Sequence, residues 1–474
     1  MKKFSLVVAL IAFTFPTHAA NISSVWRNVS GTWTNAANWT NFPLTVNFPD
    51  NGNGGFTYDA TVGGGTVTVD KDIVILKFTQ TAGTIGGNFT LTANELYRWL
   101  GGSSNRSGTN VANGGLEIRG NVTMAPGNLR STVSAIQSNG NVTGGFGGFL
   151  INAAGATYTV QDDSDLLQTG SAVDPTFVND GTFIKSGGTN VTTISYIFNN
   201  SGTVRGEIGS INLTFAGASS GVFTTAPAGR IQFLGNHTLN GCTLSGGGTI
   251  VWDTGGVGSL VLTNTINSSV ALLTQTGGSV GGPGNLNHSG LFVWSTGIQT
   301  GTGTNTFTGP LIISNGSASL LGGRRLVPLG STTLTNGSLV GGNGSVLSNA
   351  AGRTFTIVDD SDVTENGSAV HPIFDNVGLL QKTGGTNVSI MSFDLNNSGE
   401  VRVQSGTFQI SNPGVNTGIL TTAPNARILI NSAYTLNGGT ISGGGTFQFD
   451  NFNTGTIILT NTITSRVANF VHTR

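Results

Sequence analysis

The chain has 474 residues, of which 74 are glycine, 37 % are hydrophobic and only 9 % are charged. A disordered chain with that much glycine would be richer in proline and charge, and collagen would place glycine at every third position. Net charge is −1, from 20 basic and 21 acidic residues with no basic patch, so nucleic acid and anionic membranes are not expected partners. An all-β protein of many short strands and tight turns remains.

The chain opens on MKKFSLVVALIAFTFPTHAA. Lys2 and Lys3 form a charged n-region, Phe4 to Phe15 an apolar core, and Thr17 and Ala19 supply small residues before a cleavage point. Residues 1–20 therefore read as a secretory signal peptide, and the mature chain as secreted or displayed on the outer cell surface. The apolar stretch is too short to span a bilayer well, and no later segment is apolar enough to be transmembrane. One cysteine, Cys242, excludes an intrachain disulfide framework.

Residues 21–79 read as an N-terminal cap with the first coils. Trp26, Trp33 and Trp39 are half of the six tryptophans. Large rings suit the plug of an open first coil; the same rings are the chemistry of a glycan-stacking platform.

From about residue 80 the chain repeats itself. Asn152-Ala153-Ala154-Gly155 returns as Asn349-Ala350-Ala351-Gly352, and Thr224-Thr225-Ala226-Pro227 as Thr421-Thr422-Ala423-Pro424, always 197 residues on. Earlier in the unit the offset is 195, as from Trp99 to Trp294. The units run over 80–274 and 275–474. Within them Gly181, Gly202, Gly221 and Gly241 keep a rhythm of 21, 19 and 20 residues, and Gly378, Gly399, Gly418 and Gly438 keep it again. Short alternating runs follow these glycines, such as Val401-Arg402-Val403-Gln404, and alternation with β-branched and aromatic residues reads as strand. A beat of about 20 residues cannot fill its own hydrophobic face, so it must stack on its neighbours. A β-propeller would show blades of about 40 residues or more, and tandem sandwiches units of about 100.

The beat FxNxGxF…NNSGxVxVxSG…TTAPxxRIxF…HTLNGxxLSGGGT resembles the β-helical repeats of large secreted bacterial proteins, the autotransporter-passenger and filamentous-haemagglutinin-like β-solenoids. The resemblance covers nearly all of residues 80–474, and the opening Trp26…Gly31-Thr32-Trp33…Asn38-Trp39 fits how such proteins start. It implies a parallel β-helix, export, and a structural or adhesive role without a defined catalytic site. The expected fold is all-β: a right-handed parallel β-helix with coils of about 20 residues and an N-terminal cap. The last residues, up to Arg474, align with residues up to Gly277, where the first copy continues into its next coils, so the chain is expected to be a truncated product of a longer one.

Candidate chemistry is sparse. Asp162, Asp163 and Asp165, repeated as Asp359, Asp360 and Asp362, place three carboxylates within four residues, the oxygen-rich composition that Ca²⁺ favours. Their spacing matches no EF-hand loop, and Asp and Ser also occupy turns for local hydrogen-bonding reasons. Lys185/Lys382, Arg205/Arg402 and Arg230/Arg427 recur in both units and read as a solvated outer ladder; interior Val, Ile, Leu and Phe would be covered by outward Asn, Thr and Ser. His237, His288, His371 and His472 show no zinc spacing. No cofactor is expected, the acidic clusters reading as structural turns with Ca²⁺ binding as the alternative. The expected function is a non-catalytic secreted or cell-surface rod of adhesin-like character, its partners surface glycans or other surface proteins. The alternatives are a carbohydrate-active β-helix enzyme, such as a polysaccharide lyase or hydrolase, and a glycan-binding module led by the tryptophans.

Overall fold

A computed structural model describes residues 19–255, 258–450 and 456–473. The expected signal peptide lies almost wholly outside the described residues. The chain winds as a parallel β-solenoid of about 19 turns, with coils of about 21 residues and about 58 % of the chain in strands. Among the described residues helix is confined to two single turns, Ala36–Asn38 and Asn53–Gly55.

Each coil carries three short strands, so the rod has three sheets. Phe149–Asn152, Thr157–Val160 and Leu166–Gln168 begin one coil's first, second and third sheet positions, and Thr176–Asn179, Thr182–Lys185 and Val191–Ile194 stack above them. Among the described residues every pairing is parallel except one: Asn21–Trp26 pairs antiparallel with Trp39–Phe42 in the cap. Most strands are four residues long and alternate between half-buried outward and fully buried inward side chains, as in Thr157–Val160. That length explains the composition. Two inward side chains per strand are enough to fill a narrow triangular core, and the remaining residues of each coil are spent at corners.

The core is one column of stacked apolar residues. Many of its rings pack edge-on, as Phe177 on Phe183 at 5.5 Å and on Phe198 at 5.3 Å between centroids, while Phe292 and Phe307 stack face to face at 4.7 Å. The asparagines that end several strands are also inside, which corrects the expectation that Asn faces outward. Asn152, Asn179 and Asn200 are buried and hand a hydrogen bond up the rod, each Nδ2 to the next Oδ1 at 2.7 Å. Asn349, Asn376, Asn397 and Asn416 repeat the ladder at 2.6–2.7 Å. Their amides also bond corner carbonyls such as those of Thr182 and Thr203. A turning backbone strands carbonyls that the sheets cannot pair, and a buried amide supplies the missing donor.

The glycine rhythm has an equally direct cause. A Cβ on Gly202 would lie 2.0 Å from the carbonyl oxygen of Gly181, and one on Gly221 2.0 Å from that of Gly202. In the second unit a Cβ on Gly399 or Gly418 would lie 2.1 Å from the glycine carbonyl in the coil below. Once one coil places its backbone that close, every coil stacked on that corner must do the same.

The 197-residue repeat is not a whole number of coils. Starting at Phe149–Asn152, nine successive stackings in the first sheet lead to Ser338–Gly341. The strand equivalent to Phe149–Asn152 is the next one along, Val346–Asn349, which belongs to the second sheet. The unit therefore measures nine and a third coils, and the second copy is turned by one face about the rod axis. Thr157–Val160 of the second sheet likewise returns as Thr354–Ile357 of the third.

Candidate functional site

The two acidic clusters are built alike. Asp162 accepts from the backbone N–H of Asn139 at 2.5 Å and of Ser164 at 2.9 Å. Asp163 accepts from Lys185 Nζ at 2.7 Å and from Asn190, while Asp165 accepts from the N–H of Thr193 at 2.7 Å. The second copy repeats each bond, with Asn336 on Asp359, Lys382 and Asn387 on Asp360, and Ile390 on Asp362. The carboxylates thus reach into the coil below and the coil above rather than converging on one point. Burial pushes the Asp162 and Asp359 carboxyls upward, but the hydrogen bonds from Ser164 and Asn139, and from Ser361 and Asn336, outweigh it and hold both below the usual range. The bond from Lys382 does the same for Asp360.

Lys185 and Lys382 are not part of a solvated ladder. Both are buried, at 0 % and 1 % exposure, with Nζ held between an Asp carboxylate and the backbone carbonyl of Asp162 or Asp359. Alternation along Thr182–Lys185 and Leu379–Lys382 turns each lysine inward. The clusters therefore already hold a cation, an ammonium group from the chain itself. Among the described residues no group of three or more His, Cys, Asp and Glu is arranged to hold a metal ion. Arg205 and Arg402 do point outward and pair with Glu207 and Glu400 on the surface.

Trp26, Trp33 and Trp39 are buried at 0–2 % exposure. Their rings meet edge-on, Trp39 lying 5.0 Å from Trp26 and 4.8 Å from Trp33 between centroids. Each indole N–H is spent on a backbone carbonyl, of Val29, Pro49 and Trp33 respectively. The rings fill the mouth of the first coils, and their faces offer no platform on which a sugar could stack without opening the cap.

The surface feature that the sequence reading did not single out lies along the edge between the second and third sheets. Here the corner residue is again glycine: a Cβ on Gly309 or Gly330 would lie 2.1 Å from the glycine carbonyl below. With no side chain at the corner, the outward residues just before it stand as walls of a shallow groove. One stretch, about 360 Å³, is lined by Asn267, Ser269, Asn287, Ser289, Thr306 and Thr308. A larger stretch, about 580 Å³, is lined by Ser348, Asp375, Val377, Asn396, Ser398, Val415 and Thr417 among others. Register places these on one edge: Asn267, Asn287, Thr306 and Val327 are consecutive partners, as are Ser348, Asp375, Asn396 and Val415. A single coil, carrying Val327 and Leu329, separates the two stretches. Neighbouring side chains join across coils, the Asn287 amide donating from Nδ2 to Asn267 Oδ1 and the Asn396 amide to the Asp375 carboxylate, both at 3.1 Å. The sequence signal was there in the recurring triplets before glycine, Asn287-His288-Ser289, Thr306-Phe307-Thr308 and Asn396-Asn397-Ser398.

Compared with protein-family models, with curated proteins and with solved structures, the chain shows no match.

Proposed function

We propose that the protein is a secreted or cell-surface rod of structural and adhesive character, without catalytic activity. One observation carries the reading: the carboxylates of the two acidic clusters and the lysines that recur with them are consumed by the fold. Lys185 and Lys382 staple coils to Asp163 and Asp360, and Arg402 pairs with Glu400 two residues away. Hydrolysis or elimination on a polysaccharide needs carboxylates, or a carboxylate with a cation, converging on a space that substrate can enter. The resemblance to exported β-helical proteins and the leader-like first 20 residues support secretion. In this reading Ca²⁺ has no role, because an internal ammonium already pairs with one carboxylate of each cluster and the other two are spent on backbone N–H groups of neighbouring coils.

At about 4.8 Å per coil, about 19 turns give a rod of roughly 90 Å. The test has two arms. Small-angle scattering of the purified chain should give a rigid particle of that length, and expression with its own first 20 residues in a bacterial host should deliver the chain outside the cytoplasm. Retention in the cytoplasm, or steady depolymerisation of a polysaccharide by the purified chain, would reject the reading.

A further inference from the structure

The groove along the edge between the second and third sheets has a shape and a lining that together specify what it can hold. Its two stretches, four coils each, lie in line along the rod axis on either side of the Val327 coil, from the coil of Thr243 to that of Val415, a span of roughly 40 Å. Its walls repeat once per coil, and the wall residues are amides and hydroxyls with a few small apolar side chains between them. Asp375 is the only charged residue in the lining of either stretch. At its floor, Asn349 is buried and its Oδ1 has no hydrogen-bond partner within the fold, since it begins the asparagine ladder that Asn376 continues.

We propose that this groove binds an extended chain of an uncharged polysaccharide. An axial groove with a repeat at every coil suits a linear polymer rather than a compact ligand. Amides and hydroxyls both donate and accept, which matches a polymer whose units carry hydroxyls that do the same. Ala350, Val377 and Val415 give the carbon faces of sugar rings an apolar contact. The absence of any cation in the lining disfavours anionic polymers, which need Lys or Arg to replace their counterions. An extended peptide fits poorly for a different reason. The backbone beside the groove is already paired with the coils above and below, so no free sheet edge is offered for a peptide to extend. The inference rests on the adhesive half of the proposed function and gives it a site and a ligand class.

Affinity electrophoresis of the full chain through gels containing a soluble mixed-linkage β-glucan, a galactomannan, a xylan or, as the anionic arm, alginate tests this. The expected result is retardation by at least one neutral polymer, unchanged when salt is raised. Ser289→Arg and Ser398→Arg put a long side chain into each stretch from exposed positions, and each should weaken retardation at least tenfold. Asn396→Ala, which only removes an amide, should weaken it severalfold. Ser319→Arg, outward on the first sheet, should leave it unchanged. No retardation by any neutral polymer, retardation by alginate alone, or undiminished retardation of the groove variants would overturn the proposal. Scattering on the same samples reads the rod length separately, so a groove that fails to bind is distinguished from a rod that fails to form.

Discussion

His237 gives the sharpest test of the interior. It lies at 2 % exposure with its ring edge-on to Phe233, 5.2 Å between centroids. Burial pushes its pKa down from 6.5 to about 4, against a smaller upward pull from the Phe215 backbone. Below pH 6.5 the unfolded chain protonates this ring and the folded chain does not, so stability is full above 6.5 and falls as pH drops toward 4. At about 1.4 kcal/mol per pH unit, His237 alone removes about 2 kcal/mol between pH 7 and pH 5. Three carboxylates with depressed pKa values, Asp162, Asp359 and Asp360, act in the same direction but only below about pH 4, where an unfolded aspartate begins to protonate. The control comes from the second unit, where the equivalent residue is Tyr434, buried and donating from Oη to the Leu395 carbonyl at 3.1 Å. His237→Tyr removes the titrating ring and leaves His288, whose pKa burial also lowers, in both proteins. Equilibrium urea unfolding of both at pH 7 and pH 5 should show wild type losing about 2 kcal/mol more than the variant. Equal losses would mean that the ring is reached by water or already charged in the folded state, and the buried-neutral account would be wrong.

Gly202→Ala should cost about 2–3 kcal/mol in urea unfolding, since its Cβ meets the Gly181 carbonyl. Gly155→Ala, at φ 79° with nothing within 4 Å, should cost only about 1 kcal/mol. Asn179→Ala breaks the ladder, taking the donor from Asn200 Oδ1 and the Thr203 carbonyl and one acceptor from Asn152 Nδ2, which should cost about 2–4 kcal/mol, whereas Asn199→Ala, on the outward face of the next coil, should cost under about 0.5. Lys185→Met leaves Asp163, 31 % exposed, without its cation and should cost about 2 kcal/mol, less than a fully buried pair would. Excess Ca²⁺ and excess chelator should each leave the wild-type melting temperature unmoved; a Ca²⁺-dependent rise would show that the lysine does not fill the cluster's need.

Most of the fold was legible because the features that betray it are obligatory. Coil length shows in the spacing of Gly181, Gly202 and Gly221, since a corner that touches the one below tolerates nothing larger. Strands show in alternation, as at Glu400–Val403. Direction was harder wherever a polar residue ended a strand. Asn179 and Lys185 read as surface because their side chains are polar, yet alternation carries both inside, where a corner carbonyl and an aspartate are waiting. Counting outward from Phe183 would have placed Lys185 correctly, because residues two apart in a strand share a face. The groove was illegible for another reason. Its walls are one or two residues from each of eight coils, and their alignment depends on where each coil lengthens, as between Ser348 and Asp375, 27 residues apart, and Asp375 and Asn396, only 21 apart.

The offset of a third of a coil says something about how the rod tolerates duplication. The unit holds nine coils and one further strand with its corner, so copying it in tandem moves every feature to the next face. That is harmless only if the three faces are interchangeable, and the interior says that they are: Phe183 in the second sheet and its equivalent Leu380 in the third are both buried at 0–1 %. Outside, the consequence is the opposite. Equivalent surfaces of the two units point a third of a turn apart and lie roughly 45 Å apart along the axis. The continuous edge from Thr243 to Val415 is therefore not a by-product of the duplication, because its two stretches come from non-equivalent parts of the unit. Deleting residues 153–349 tests the argument. It joins Asn152 to Ala350, where the two units read alike, and leaves Thr354–Ile357 to stack on Ser134–Ser138 as Thr157–Val160 now does. The shortened chain should fold with cooperative unfolding and scatter as a rod roughly 45 Å shorter, while losing the first stretch of the groove. An aggregated or partly unfolded product would show that the faces are not equivalent and that the second unit depends on its particular place in the rod.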